Sequence, residues 1–130
     1  MLTKLTHITL FVKDQNEALD FYTKKLGFKI HTDAMFGENN RWVTITLAQQ
    51  NDMEIALMLA ESAEEKALVG RQGWQKPFLA FACDDCEATH QALKKNGVKI
   101  VSQPEKQAWG ISMAAEDLYG NNLYIVQGLP

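Results

Sequence analysis

Short runs of alternating apolar and polar residues, separated by turn-forming residues, divide the chain into strands and helices. Residues 7–14 form one such run that ends in an acidic residue, and residues 78–85 form another. A helical stretch follows each run, at about residues 15–25 and 86–95. Three further strands follow each helix, so each half of the chain is predicted to be strand, helix, strand, strand, strand.

The two halves form a degenerate internal repeat. The offset is 71 residues from His7 to Phe78 and 70 residues from Gly27 to Gly97, where each glycine supplies the left-handed C-cap of its helix. One residue is therefore lost in the second helix. The later strands keep the offset of 70, which matches residues 41–47 with 111–117 and residues 53–57 with 123–127.

These elements predict an α+β fold, in which two tandem βαβββ modules form a cup-shaped mixed sheet with the helices outside. Ser62 and Glu65 have the spacing of a capping box, which predicts a short linker helix between the modules. The chain is therefore expected to be a single domain, residues 1–130. Its parts are module one at about residues 3–59, the linker helix at about 62–69 and module two at about 77–127.

Period-two alternation assigns the two faces of each predicted sheet. Aliphatic residues such as Leu10, Ile45 and Leu59 are expected to pack under the helices. The opposite faces carry small residues interrupted by a few large polar or aromatic ones: His7, Thr9, Phe11, Trp42, Thr44, Thr46, Glu54, Ala56, Met58, Phe78, Ala80, Ala82, Asn122, Tyr124 and Val126. This composition suits the lining of a cavity better than a packed core. Loops at 31–41 and 103–110 are expected to decide which ligand the cavity takes.

Composition and charge narrow the class of protein. The chain has 130 residues, of which 46% are hydrophobic and 22% are charged, as in an ordinary globular domain. Its net charge of −3 argues against a nucleic-acid-binding surface and against a polybasic membrane patch. No apolar run approaches the roughly 20 residues needed to span a bilayer. Because the first strand follows Met1 without an apolar leader, we expect a cytoplasmic protein.

Cys83 and Cys86 are spaced as C-x-x-C, which is the spacing of redox pairs and of half a zinc site. No second pair of ligands accompanies them at a suitable spacing. Cys83 ends an apolar strand, and Asp84 and Asp85 have the character of a helix N-cap. We therefore expect both cysteines to be structural.

Two segments of the chain resemble a known family. Phe21-Tyr22 followed by Leu26-Gly27-Phe28, after a strand that begins at His7, resembles the first module of glyoxalases, bleomycin-resistance proteins and extradiol dioxygenases. The ending Asp117–Tyr124 is similar to their D-P-D-G-N-x-x-E segment. Over about residues 3–127 the chain therefore resembles the vicinal oxygen chelate superfamily, whose members are usually dimers.

In metal-dependent members, the resemblance implies four ligands, one from the first and one from the last strand of each module. These positions are His7, Glu54, Phe78 and Tyr124 in this chain. Only His7 and Glu54 can bind a divalent ion, because phenylalanine cannot ligate and neutral tyrosine is a poor ligand. Two protein ligands hold a transition metal weakly, so the expected cofactor is none or a weakly bound divalent metal. The favoured interpretation is a hydrogen-bonded pair of His7 and Glu54.

Four aromatic residues are candidates for contacting a ligand. Trp42, Phe78, Trp109 and Tyr124 can stack on a flat organic molecule. For Trp109 a purely structural role is equally favoured, because this residue precedes Gly110 and can close the open end of the sheet.

Three polar residues have weaker signals. Arg41 can anchor an anionic ligand at the rim of the cup, although an exposed arginine at a strand end is the commoner case. His31 and His90 have no partner pattern, so we expect them to be surface or packing residues.

These candidates favour a small-molecule-binding protein with an aromatic-lined cup and an incomplete metal site. The alternative is a lyase, isomerase or dioxygenase-type enzyme that uses a weakly held divalent metal at His7 and Glu54, or Glu54 as a general base. A regulatory module that has lost its ligand chemistry has no positive support. The expected partners are a small organic ligand and a second copy of the chain, not nucleic acid or a membrane. Whether one chain or a homodimer closes the cup stays open.

Overall fold

A computed structural model describes residues 1–128, and the chain divides into two compact units between Val69 and Gly70. Residues 129 and 130, which the predicted domain includes, lie outside the described residues. Each unit contains one four-stranded mixed sheet with helices, so the predicted α+β fold of two βαβββ modules is confirmed. None of the helices in the described part of the chain has the length and apolar character needed to cross a membrane.

The first unit is a four-stranded sheet with two helices. Its elements are β1 (His7–Val12), α1 (Gln15–Asp20), β2 (Lys29–Phe36), β3 (Asn40–Leu47), β4 (Gln50–Leu59) and α2 (Ala63–Leu68), and α1 continues into a π-helical turn at Phe21–Lys25. The strand order is β1-β4-β3-β2. β1 runs parallel to β4, and the other neighbouring pairs are antiparallel.

The second unit repeats this arrangement. Its elements are β5 (Leu79–Ala82), α3 (Cys86–Lys95), β6 (Lys99–Gln107), β7 (Gly110–Glu116) and β8 (Asn122–Gly128). The strand order is β5-β8-β7-β6, and β5 runs parallel to β8. The two modules therefore have the same topology.

Side-chain caps begin the helices where the sequence predicts them. The Asp85 carboxylate accepts the backbone N–H of Ala88 at 3.0 Å at the start of α3. Ser62 and Glu65 form the expected capping box at the start of α2. Gly27 and Gly97 follow the first and third helices at φ 79°, a backbone conformation that glycine adopts without a steric penalty.

The Phe-Tyr motif after α1 forms part of the core of the first unit. Tyr22 has no exposed surface. Its ring packs edge-on against Phe21 and against Phe28, with a centroid distance of 5.4 Å in each case. The aromatic residues that carry the family resemblance are therefore explained by packing.

Burial follows the expected alternation, with one exception on the helix side. Leu10 and Ile45 are fully buried, as expected. Leu59 is exposed instead of packed, because it is the last residue of β4. On the opposite face Thr44 and Ala56 are also buried, so that face is covered in the middle of the sheet.

The second strand of each module contains a β-bulge. The pairing of β2 with β3 shifts between Ile30 and Thr32, and the pairing of β6 with β7 shifts between Ile100 and Ser102. The expectation of loops at 31–41 and 103–110 is therefore wrong. Most of these residues belong to the β2–β3 and β6–β7 hairpins, because their backbones pair across the sheet.

Strand pairing corrects the repeat alignment of the last strand. Thr44 pairs with Ala56 in the first unit, and the equivalent Ala114 pairs with Tyr124 in the second. The offset from Ala56 to Tyr124 is therefore 68 residues, not 70. The β3–β4 hairpin is two residues longer between these equivalent pairs, so Glu54 corresponds to Asn122 rather than to Tyr124. The shift is even, and the predicted faces are unchanged.

Candidate functional site

The carboxylate of Glu54 is the centre of a polar cluster on the first sheet. Glu54 lies on β4 directly opposite His7 on β1. Its Oε2 atom is 3.1 Å from Nε2 of His7, and its Oε1 atom is 2.9 Å from Nδ1 of His31. The hydroxyl of Thr44 on β3 donates a hydrogen bond to Oε1 at 2.6 Å. The three donors satisfy both oxygens of a carboxylate whose side chain is 16% exposed.

His31 was not predicted as a site residue, and the expectation that it has no partner is wrong. It is the extra residue of the β2 bulge, between Ile30, which pairs with Ile45, and Thr32, which pairs with Thr44. A bulge breaks the alternation of side chains along a strand and redirects the bulged residue. Period-two alternation therefore could not place His31 beside Glu54.

The carboxylate determines which ring nitrogen of each histidine carries a proton. A carboxylate only accepts hydrogen bonds, so Nε2 of His7 and Nδ1 of His31 are both N–H donors toward Glu54. The remaining nitrogen of neutral His7, Nδ1, lies 2.9 Å from the hydroxyl of Thr6, which can donate to it. The remaining nitrogen of His31, Nε2, has no hydrogen-bonding partner within residues 1–128.

Trp42 extends the cluster with an aromatic ring. It is half-buried on β3, and its ring lies 5.7 Å from the His7 ring at an interplanar angle of 56°. The same residue lines a cleft of about 100 Å³, whose walls include Gln15, Phe36, Arg41 and Met58. The structure therefore brings together three predicted residues, His7, Trp42 and Glu54, and adds His31.

Arg41 lines the cleft, but its charge is already paired. Its guanidinium donates two hydrogen bonds to the carboxylate of Asp33, at 2.9 and 2.8 Å, and one to Asn16 at 2.6 Å. The hydrogen bonds to Arg41 hold the pKa of Asp33 below its ordinary value, and Asp33 raises the pKa of Arg41 in turn. The local charge is therefore neutralised before any ligand arrives.

The predicted ligand-binding residues of the second unit form a separate group. Trp109 lies at the β6–β7 turn with 57% of its surface exposed, so it does not close the sheet. Its indole N–H donates to the Tyr124 hydroxyl at 3.1 Å. Phe78 is half-buried just before β5. The structure joins Trp109 to Tyr124, and within residues 1–128 neither side chain makes a hydrogen bond or a ring contact with Phe78.

The donor set of the first unit does not fit a metal in this arrangement. His7, His31 and Glu54 are residue types that zinc and non-haem iron accept as ligands. The ring nitrogens that face Glu54 carry its hydrogen-bond protons, so a metal between these groups would have to displace those protons, and of the remaining ring nitrogens only Nε2 of His31 is free. Across the described part of the chain, no group of three or more histidine, cysteine or acidic side chains is placed to hold a metal ion.

The cysteines and His90 lie at and near the start of α3. Cys86 is fully buried, and its backbone N–H donates to the side-chain oxygen of Gln127 at 2.8 Å. Burial, with a smaller contribution from Cys83, raises the pKa of the Cys86 thiol to about 11. Cys83 is half-buried, and both thiols are free. His90 is buried on the same helix, 3.7 Å from Glu87.

Known proteins resemble this chain over nearly its whole length. The family model described as the Glyoxalase/Bleomycin resistance protein/Dioxygenase superfamily matches residues 4–125. An uncharacterized protein of Shewanella frigidimarina (strain NCIMB 400) is 34% identical over 122 residues, which cover 93% of this chain and 90% of the relative. The uncharacterized protein YurT of Bacillus subtilis (strain 168) is 33% identical and covers 95% of this chain and 98% of its own.

Solved structures share the fold. The crystal structure of UcmS2 has a TM-score of 0.87 at 28% identity and covers 98% of this chain and all of its own. TnmS3, described as an antibiotic binding protein from Streptomyces sp. CB03234, has a TM-score of 0.80 at 23% identity and covers 98% of both chains.

Proposed function

The chain belongs to the glyoxalase/bleomycin resistance protein/dioxygenase superfamily, and we propose that it is a small-molecule-binding protein of this superfamily. The ligand is a flat organic molecule that rests against Trp42 and the neighbouring polar cluster of His7, His31 and Glu54. The observation that carries this proposal is the contact between the rings of His7 and Trp42, with His7 held by the carboxylate of Glu54.

The composition of this surface supports binding. Ligand sites combine aromatic area with a few polar groups in fixed orientation. Here Trp42 supplies the aromatic area, and Glu54 fixes the orientation of both histidines through hydrogen bonds. The side chains of His7 and His31 are 37% and 40% exposed, so a ligand can reach them.

The size of the cleft limits what it can hold. A drug-sized ligand occupies a site of roughly 300–1,000 Å³, whereas the cleft beside Trp42 has about 100 Å³. The cleft therefore takes one part of a larger ligand, with Arg41 as a wall rather than as an anion anchor. Trp109, Tyr124 and Phe78 are proposed as further aromatic contacts in the second unit.

Antibiotic binding by a protein of this fold is compatible with the proposal. TnmS3 is described as an antibiotic binding protein, and its likeness to this chain at 23% identity concerns the fold. The likeness supports the proposal that this fold can hold an organic ligand. The proposed class of ligand is argued from the residues of this chain.

Enzymatic activity is the second candidate function, and it rests on the same carboxylate. Glu54 can act as a general base only if a substrate reaches one of its carboxylate oxygens. Because two donors occupy Oε1 and one occupies Oε2, a substrate can reach only the remaining acceptor position of Oε2 unless it displaces His7, His31 or Thr44. A weakly held divalent metal between His7 and Glu54 would require the loss of the hydrogen bond between these two residues.

Two further features of the biology are proposed with the function. We propose a homodimer, because the edge strand β2 exposes Ile30, Met35 and Phe36, and unpaired strand edges need covering. Light scattering at micromolar concentration should give about twice 14.6 kDa, and a mass near 14.6 kDa would contradict the dimer.

We also propose a cytoplasmic location, with which two free thiols agree.

Calorimetric titration with a small library of flat aromatic compounds tests the binding function. Trp42→Leu keeps the site apolar and removes the ring, and it should weaken binding by about 3- to 10-fold. Trp74→Leu is the matched control. Trp74 is an exposed tryptophan that stacks with Arg71 and is not one of the proposed ligand contacts. If Trp42→Leu and Trp109→Leu both leave every affinity unchanged, the assignment of the site is wrong.

A further inference from the structure

The two histidines that contact Glu54 differ in whether their second ring nitrogen has a hydrogen-bonding partner. Both nitrogens of His7 are engaged, one by Glu54 and one by Thr6. For His31, Glu54 and Thr32 both lie 2.9 Å from the same nitrogen, Nδ1. The neutral ring of His31 therefore keeps its lone pair on Nε2, without a partner within residues 1–128.

This lone pair has a fixed position. The carboxylate oxygen that orients His31 also accepts the Thr44 hydroxyl at 2.6 Å, and Thr44 is fully buried. The β2 bulge holds the backbone of His31 between two paired residues, Ile30 and Thr32. A rigid acceptor discriminates between ligands, because a ligand that covers it without donating a hydrogen bond leaves it unpaired.

We propose that Nε2 of His31 accepts a hydrogen bond from a hydroxyl group on the ligand, and that the protein therefore selects phenols over aromatic compounds without a donor. The aromatic surface of Trp42 and the acceptor belong to one chain of contacts that runs from Trp42 through His7 and Glu54 to His31. This inference rests on the proposed function, because it names the class of ligand that the same site takes.

A matched pair of probes tests the inference. 1-Naphthol and 1-methoxynaphthalene have the same flat ring system, and only the first can donate a hydrogen bond. At pH 8, where histidine is ordinarily neutral, the unmodified protein should bind 1-naphthol about 3- to 10-fold more tightly, which is the effect of one hydrogen bond.

Two substitutions at His31 separate the roles of its nitrogens. His31→Asn keeps an amide N–H near the position of Nδ1, where it can donate to Glu54, and has no atom at the position of Nε2. It should abolish the preference for 1-naphthol, so that the ratio of the two affinities falls to about one. His31→Gln places an amide oxygen near the position of Nε2 and should restore part of the preference.

Nuclear magnetic resonance gives a readout that needs no stable variant. In protein labelled with nitrogen-15 histidine, the Nε2 signal of His31 should move much further on addition of 1-naphthol than with the methyl ether. Equal affinity of the unmodified protein for both probes, or a preference that survives in folded His31→Asn, would overturn the inference while binding itself stands. Failure of both probes to bind would instead remove the proposed function, and the inference with it.

Discussion

Nδ1 of His31 lies 2.9 Å from Oε1 of Glu54, although strand β3 runs between the two strands that carry these residues. The contact crosses the middle strand because the bulge in β2 redirects the histidine, and Thr44 on β3 donates to the same oxygen. The resulting arrangement orients two imidazoles with one carboxylate. It also leaves His31 with an acceptor nitrogen that no residue of the described chain occupies.

The cluster around Glu54 should contribute to stability as a coupled unit. Glu54→Gln is expected to destabilise the protein by about 1–2 kcal/mol, because the donors of His7, His31 and Thr44 lose a charged acceptor. A double-mutant cycle with His31→Phe, measured by urea unfolding, should give a coupling energy of about 1 kcal/mol. Glu38→Gln is the control at an exposed position. Additive effects of the two substitutions would show that the contact is not formed.

The pair of Asp33 and Arg41 should make a small contribution that depends on pH. The pKa of Asp33 is lowered in the folded protein, so its contribution is present above its ordinary pKa of 3.8 and is lost as the pH falls through the folded value. Asp33→Asn should cost under about 1 kcal/mol at pH 7, because the pair is partly exposed. The two proteins should become equally stable at acid pH. Asp52→Asn, at an exposed position of β4, should show no such convergence.

Cys86 should resist alkylation in the folded protein. Its pKa of about 11 lies above the ordinary value of 9.0, so at pH 9 the thiolate fraction of Cys86 is small. Iodoacetamide should therefore modify the half-buried Cys83 first, as followed by peptide mass spectrometry. In urea both cysteines should react at similar rates. Equal rates in the folded state would contradict the burial of Cys86.

The protein as isolated without a tag is expected to hold well under one equivalent of zinc, nickel, manganese or iron. The physical reason is that only Nε2 of His31 offers a free lone pair, whereas binding through the nitrogens that face Glu54 requires the loss of the protons they donate. Elemental analysis and nickel calorimetry after chelator treatment measure this directly. Tight stoichiometric binding that disappears in both His7→Gln and His31→Gln would refute this prediction and favour the metal-dependent alternative.

The sequence by itself determined the family, the order of the elements and the ends of the helices. Caps, capping boxes and C-terminal glycines act over three or four residues, so Asp85, Ser62 and Gly97 could be interpreted locally. Alternation alone was enough to place His7, Trp42 and Glu54 on the same face, since a regular strand reverses its side chains at every residue.

Only the tertiary structure decided the features that depend on pairing between strands. The bulge brought His31 to Glu54, and a hairpin longer by two residues made Asn122, not Tyr124, the counterpart of Glu54. Arg41 could not be recognised as neutralised, because Asp33 reaches it across a strand pair. Register and bulges arise from hydrogen bonds between distant segments, and the residue pattern of one strand does not record where its partner begins.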